Sequence, residues 1–164
     1  MALTKTPVCD YGKKAGDFKL KSIENKIISL NDVKGEKATL IMFICNHCPY
    51  VKAIIRDLVK DCNEIKKEGI NSVAIMSNDT KNYPEDSFDN MIEFAKVNNF
   101  GEINYLIDET QEIARKYGAV CTPDFFGYNQ DLKLQYRGRF RELKDLKPTS
   151  SGDRDLKVAM KMIS

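Results

Sequence analysis

Two stretches of the chain carry apolar residues at most positions: residues 38–44 (ATLIMFI) and residues 70–77 (INSVAIMS). That density is expected of strands covered on both faces. Between them Val51, Ile54, Ile55, Leu58, Cys62 and Ile65 recur at helical spacing until Gly69, which predicts an amphipathic helix. Strand, helix and strand in that order form a parallel βαβ unit with a right-handed crossover.

The rest of the pattern hangs on this unit. Residues 17–20 and 27–30 alternate polar and apolar side chains around Glu24-Asn25-Lys26, predicting a β-hairpin, and residues 31–35 read as a helical turn ending at Gly35. After a polar loop over residues 78–83, Pro84 opens a helix with Phe88, Met91, Ile92 and Ala95 on one face. A short strand follows at residues 103–107, then Asp108 as N-cap of a helix over residues 109–117 that Gly118 ends. Residues 120–126 and 132–136 predict a second hairpin turning at residues 128–131. A charged loop over residues 137–152 leads to a last amphipathic helix, residues 153–163, with Leu156, Ala159, Met160 and Ile163. Residues 1–16 are polar and rich in Gly and Lys, a segment that wraps the domain loosely.

Composition adds bounds. A chain of 164 residues is long enough to bury a core without disulfides or metal, and residues 1–164 read as one domain of α/β class. With 42% hydrophobic and 30% charged residues the composition is that of an ordinary soluble protein. The net charge of +2 comes with lysines interleaved among acids, as in Glu64-Ile65-Lys66-Lys67-Glu68, which excludes a nucleic-acid patch of one sign. No secretory leader and no apolar stretch of membrane-spanning length is visible, so a cytoplasmic protein without membrane partners is expected.

Five cysteines, unevenly spread, do not form a secreted disulfide framework. Cys45-Asn46-His47-Cys48 stands apart: two thiols three positions apart where a buried strand meets a helix opened by Pro49, with the single histidine between them. In that context C-x-x-C reads as a redox dithiol. Cys9 reads as an incidental thiol and Cys62, on the apolar stripe of its helix, as a core thiol.

The order of elements, with a C-x-x-C helix and Thr122-Pro123 before the second hairpin, resembles the thioredoxin fold. It is closest to the redoxin branch, which holds the alkyl hydroperoxide reductase/thiol-specific antioxidant proteins and the thioredoxin-like proteins of cytochrome maturation. Ala15-Gly16-Asp17-Phe18-x-Leu20 resembles that branch's A-P-D-F-x-L, and Ser29-Leu30-x-Asp32-x-x-Gly35 its S-L-x-D-x-x-G. The helix from Pro84 fits the insertion that sets the branch apart. The resemblance implies a central mixed sheet flanked by helices, with an N-terminal β-hairpin and an inserted helix. It also implies a cis bond at Thr122-Pro123 that presents backbone to substrate opposite the dithiol. There are two departures: Ile44 stands where the family places Trp, and Thr39 where plain thioredoxins bury an acid. An acid serving Cys48 is then sought in the inserted region among Asp79, Glu85 and Asp86.

The chemistry expected is thiol–disulfide exchange with a protein or small-molecule disulfide, recharged by a thiol reductant and needing no cofactor or metal. Cys45, placed at the helix N-terminus and beside His47, is expected to be the thiolate nucleophile, with a pKa in the ~3.5–7.5 range, and Cys48 the deeper resolving thiol. A stabilised thiolate makes the disulfide more oxidising. His47 resembles the dipeptides of protein disulfide isomerase and the bacterial periplasmic oxidase, which lie about 90–150 mV above thioredoxin. Cys121 is either a third redox thiol or a packed strand thiol. Three alternatives stay open. A thiol peroxidase would lack its P-x-x-x-T-x-x-C loop, since Met42 and Cys45 hold the threonine position before the two cysteines. A copper(I) chaperone would use Cys45, Cys48 and His47, and a zinc site would need further ligands.

Overall fold

The computed structural model describes residues 10–119, 121–138, 140, 143–144, 147–148 and 155–164. In chain order the elements are β1 (Lys19–Ser22), β2 (Ile27–Ser29), α1 (Leu30–Val33), β3 (Ala38–Phe43), α2 (Pro49–Lys66), β4 (Ile70–Met76), α3 (Phe88–Val97), β5 (Asn104–Ile107), α4 (Glu112–Tyr117), β6 (Asp124–Asn129), β7 (Leu134–Gly138), β8 (Leu143–Lys144), β9 (Lys147–Pro148) and α5 (Asp155–Ile163). Seven strands form one mixed sheet in the order β2-β1-β5-β4-β3-β6-β7. β3 pairs parallel with β4 and antiparallel with β6, so it lies inside the sheet with both faces covered, and all six of its residues are buried. That is the placement its unbroken apolar run demands.

Alternation along β3 divides the core. Ala38, Leu40 and Met42 pack with Ile54, Leu58 and Ile65 of α2 on one side, and Ile41 and Phe43 meet Leu30, Val33 and Ile113 on the other. The N-terminal hairpin turns through Asn25 at φ 61 and pairs to the far edge through β1–β5. Among the described residues no helix is long and apolar enough to cross a membrane.

Four elements differ from the sequence expectation. The second hairpin is shifted along the chain, β6 running over Asp124–Asn129 through residues expected in its turn and β7 over Leu134–Gly138. The helix expected from Pro84 is two pieces, a 3-10 turn over Pro84–Asp86 and then α3, because Ser87 is extended (ψ 159) and caps α3 through the N–H of Asn90 at 3.2 Å. Only a narrow stripe of α3 is covered: Met91 and Ala95 are buried while Ile92 is 38% exposed. α4 begins three residues later than expected. The Asp108 carboxylate does cap it, but from a distance, accepting the N–H groups of Ile113 (3.3 Å) and Ala114 (3.0 Å) while Gln111 turns through φ 63. Within the span expected as charged loop, β7 runs on to Gly138 and β8 pairs with β9. Of the rest of that span only Phe140, which is buried, is among the described residues; Cys9 and the first two residues of the expected last helix lie outside them.

Gly35 follows α1, which ends with Lys34 as its C-cap. Its N–H donates to the buried Thr39 Oγ1 at 2.9 Å, so Thr39 is a loop anchor. A Cβ on Gly35 would lie 1.9 Å from the Ala38 carbonyl oxygen and 2.8 Å from the Asn71 nitrogen, both backbone atoms that have nowhere to go. Gly35→Ala is therefore expected to destabilise the protein by about 3 kcal/mol or more, read as a clear drop in the urea midpoint. An unchanged midpoint would contradict this packing.

Candidate active site

The dithiol lies at the C-terminal end of β3, where the chain leaves the sheet and enters α2. Pro49 occupies the first turn of the helix, where its missing N–H costs nothing, and the N-cap is Cys48. Cys45 is thus three residues ahead of the helix end that was expected to stabilise it. Both sulfurs are buried, each residue being 0% exposed.

Across from them stands Thr122, joined to Pro123 by a cis bond as the family resemblance implied. Its hydroxyl lies 3.4 Å from Cys45 Sγ, and its carbonyl accepts the Cys48 S–H at 3.4 Å. Cys121 is half-buried beside it. Burial first, and then the charge of Asp124, raise its pKa, so it stays a thiol at neutral pH.

The inserted region supplies the other wall, and the acid sought there is Asp86. It is fully buried and accepts four N–H groups: Asn46 N (2.7 Å) and His47 N (3.3 Å) on Oδ1, His47 Nδ1 (2.6 Å) and Asn78 Nδ2 (2.8 Å) on Oδ2. A buried carboxylate is tolerated when its lone pairs are satisfied in this way. Asn46 is held further, accepting from the hydroxyl of the buried Tyr105 at 2.8 Å and donating to the Glu85 carbonyl at 3.1 Å. Tyr83 stacks on His47 with ring centroids 4.9 Å apart. Of the other two acids, Asp79 accepts from Lys81 and Asn82 of its own loop, and the Glu85 side chain is exposed.

These partners redistribute the charge expected of the pair. The Cys48 sulfur accepts from the Cys45 thiol, from the backbone N–H groups of Val51 and Tyr50 and from the Thr122 hydroxyl, which favour its anion against the opposing effect of burial. The Thr122 carbonyl works the other way, accepting from the Cys48 thiol and favouring its neutral form. Cys45 moves up, because its proton is the one shared with Cys48, because it is buried and because the Asp86 anion is near. The first free N–H groups of α2, those of Tyr50 and Val51, thus reach Cys48, while Cys45 lies on the strand side of the loop near Asp86. His47 also differs from expectation, as its Nδ1 donates to Asp86 and not to sulfur.

Cys45, His47 and Asp86 offer ligand atoms within 4.8 Å of one another, the one group of metal-ligating type among the described residues. Asp86 already satisfies four donors, so a cation there would displace existing hydrogen bonds. Asn46, Asn78, Tyr83 and Tyr105 were not visible as site residues in the sequence. Only Asn46, inside the C-x-x-C, carried a signal.

The sequence matches the AhpC/TSA family over residues 11–140, and the chain belongs to that family. No curated protein matches it. An uncharacterized conserved protein from Geobacillus kaustophilus is 42% identical with a TM-score of 0.83, over 92% of this chain and 78% of that one. A hypothetical protein from Sinorhizobium meliloti 1021 is 33% identical with a TM-score of 0.87, over 95% and 85%. The thioredoxin domain of a thiol-disulfide oxidoreductase from Bacteroides vulgatus, 18% identical with a TM-score of 0.71 over 96% and 100%, shares the thioredoxin fold. Family and paired thiols together support a thiol-based redox function at the level of class.

The charge distribution is tested by ultraviolet thiolate absorbance of the reduced protein against pH. A step below the free-thiol value of about 8.5 is expected, lost in Cys48→Ala and moved up toward that value in Cys45→Ala, which removes a donor to the anion. A low step that survives Cys48→Ala would place the thiolate elsewhere. In the Cys48→Ala background, adding Asp86→Asn removes a buried anion and is expected to lower the Cys45 midpoint. A rise would contradict the electrostatics described here.

Proposed function

We propose that the protein is a thiol–disulfide oxidoreductase that cycles Cys45 and Cys48 between dithiol and disulfide. The observation that carries this reading is the pair of buried thiols at the start of α2, both within 3.4 Å of Thr122 and facing its cis bond to Pro123. Cys48, as the thiolate, attacks the substrate disulfide. One substrate sulfur joins Cys48 and the other leaves, taking the Cys45 proton. Cys45, now a thiolate, attacks Cys48 Sγ, closing the Cys45–Cys48 disulfide and releasing the second substrate sulfur as a thiolate that takes a proton from solvent, so that two electrons pass to the substrate. A thiol reductant reverses the closure. The geometry favours Cys48 for the first attack over the Cys45 nucleophile that the sequence suggested, with Cys45 resolving. Cys121, with its raised pKa, is a bystander in this scheme. A reducing compartment such as the cytoplasm fits the odd cysteine count and free thiols.

A second reading is peroxide reduction, favoured by the same thiolate at the α2 N-cap with Tyr50 and Val51 N–H groups on its sulfur. There Cys48 attacks the peroxide O–O bond to give a sulfenic acid and water or an alcohol. Cys45 then condenses with it, releasing water.

Insulin reduction and peroxide consumption, measured side by side on the wild type, Cys45→Ser and Cys48→Ser, separate the readings. Disulfide reduction lost in both variants, with a substrate mixed disulfide trapped on Cys48 in Cys45→Ser, is the expected result. Fast peroxide turnover without disulfide reduction would replace the first reading by the second, and trapping on Cys45 in Cys48→Ser would restore the opposite roles.

A further inference from the structure

On the face of the sheet away from α2 there is a cavity of about 380 Å³ that the dithiol does not line, within the size range of small-molecule sites. Its walls bring Lys13, Lys14, Arg115, Lys116 and Arg137 together with one carboxylate, Asp10, among the described residues. Arg137 is neutralised, donating from Nη2 to Asp124 Oδ2 at 2.7 Å. The others are not. Arg115 and Lys116 donate to the neutral backbone carbonyls of Thr110 (2.8 Å) and Asp17 (2.7 Å), and neither Lys13 nor Lys14 has a side-chain partner among the described residues. The two lysines are nonetheless held in place. Gly12 N donates to the Leu134 carbonyl and Ala15 N to that of Leu132, while Leu134 N returns to the Lys13 carbonyl, laying this segment beside the start of β7.

A second observation points to the same place. Tyr128, on β6, lines the cavity and is 4% exposed, yet its hydroxyl has no hydrogen-bond partner among the described residues. The hydroxyl is not sealed in the core but opens into the cavity. Burial of the ring raises its pKa, so the hydroxyl keeps its proton and remains a donor. Four cations without carboxylate partners around a hydroxyl donor that opens into the cavity form a receptor for negative charge, and one charge would leave most of the cations unmatched.

We propose that this cavity binds a small ligand carrying two or more negative charges, of the phosphate-ester or polycarboxylate kind, with Tyr128 donating a hydrogen bond to it and Lys13, Lys14 and Lys116 supplying the positive field. The site is independent of the redox reading.

Calorimetric titration of the full chain with inorganic pyrophosphate and, separately, with citrate tests it, at low and at raised ionic strength. Saturable one-to-one binding of at least one probe is expected, weakening with salt. Binding of pyrophosphate alone assigns the phosphate class, and citrate alone the polycarboxylate class. The double variant Lys13→Gln/Lys14→Gln is expected to weaken binding about tenfold or more. Both positions are exposed, so its thermal unfolding and disulfide reduction should match the wild type. Tyr128→Phe keeps the ring and is expected to weaken binding by a few-fold. Absence of saturable binding by either probe would overturn the proposal. So would binding that neither variant changes.

Discussion

The Asp86 carboxylate is the constraint on which the dithiol loop depends. A buried anion must have its lone pairs satisfied, and here the donors are the two amides between the cysteines, the His47 ring and Asn78. The loop meets that demand with both intervening N–H groups turned toward the inserted region. The insertion therefore shapes the loop from outside it, and Tyr105 and the Glu85 carbonyl extend the same hold to the Asn46 side chain. The anion also adds to the effects of Cys48 and of burial that disfavour negative charge on Cys45.

That bias and the helix start act in the same direction. α2 begins at Pro49, so its first free N–H groups reach Cys48, while Cys45 stands by the carboxylate with its proton engaged. The result is an asymmetric pair, with one sulfur facing helix N–H groups and the other on the strand side near a carboxylate. Thr122 closes the third side, its hydroxyl against one sulfur and its carbonyl against the other. The sheet makes this convergence possible: β3 delivers the cysteines, antiparallel β6 follows Pro123 beside it, and the segment carrying Asp86 leaves β4 on the other side.

The two faces of the sheet carry different chemistry. The α2 face carries the dithiol and an aromatic cluster of Phe94, Phe100 and Tyr105, while the opposite face carries a second cluster of Phe43, Tyr117, Phe126 and Tyr128, with Arg137 over the Phe126 ring. Arg137 is also tied to Asp124, directly after Pro123, so one ion pair joins the rim of the cationic cavity to the strand that frames the dithiol.

Much of the fold was legible in the sequence because burial on two faces writes itself as apolar density and burial on one face as periodicity. The runs at β3 and β4, the stripe of α2, both hairpins and Pro49 are such cases. Boundaries set by single polar contacts were not: Ser87 splitting the inserted helix and Asp108 capping α4 from a distance have no periodic trace. At the site, residue types determined the dithiol, and family resemblance the cis bond at Pro123. Which of the three inserted acids is buried, and how the groups around the dithiol are arranged, depended on donors brought from Asn78 and Tyr105. Sequence by itself specified the reactive groups, because their chemistry belongs to the residue. Their acidity was decided only by the tertiary structure, because a pKa is set by neighbours that the chain order keeps far apart.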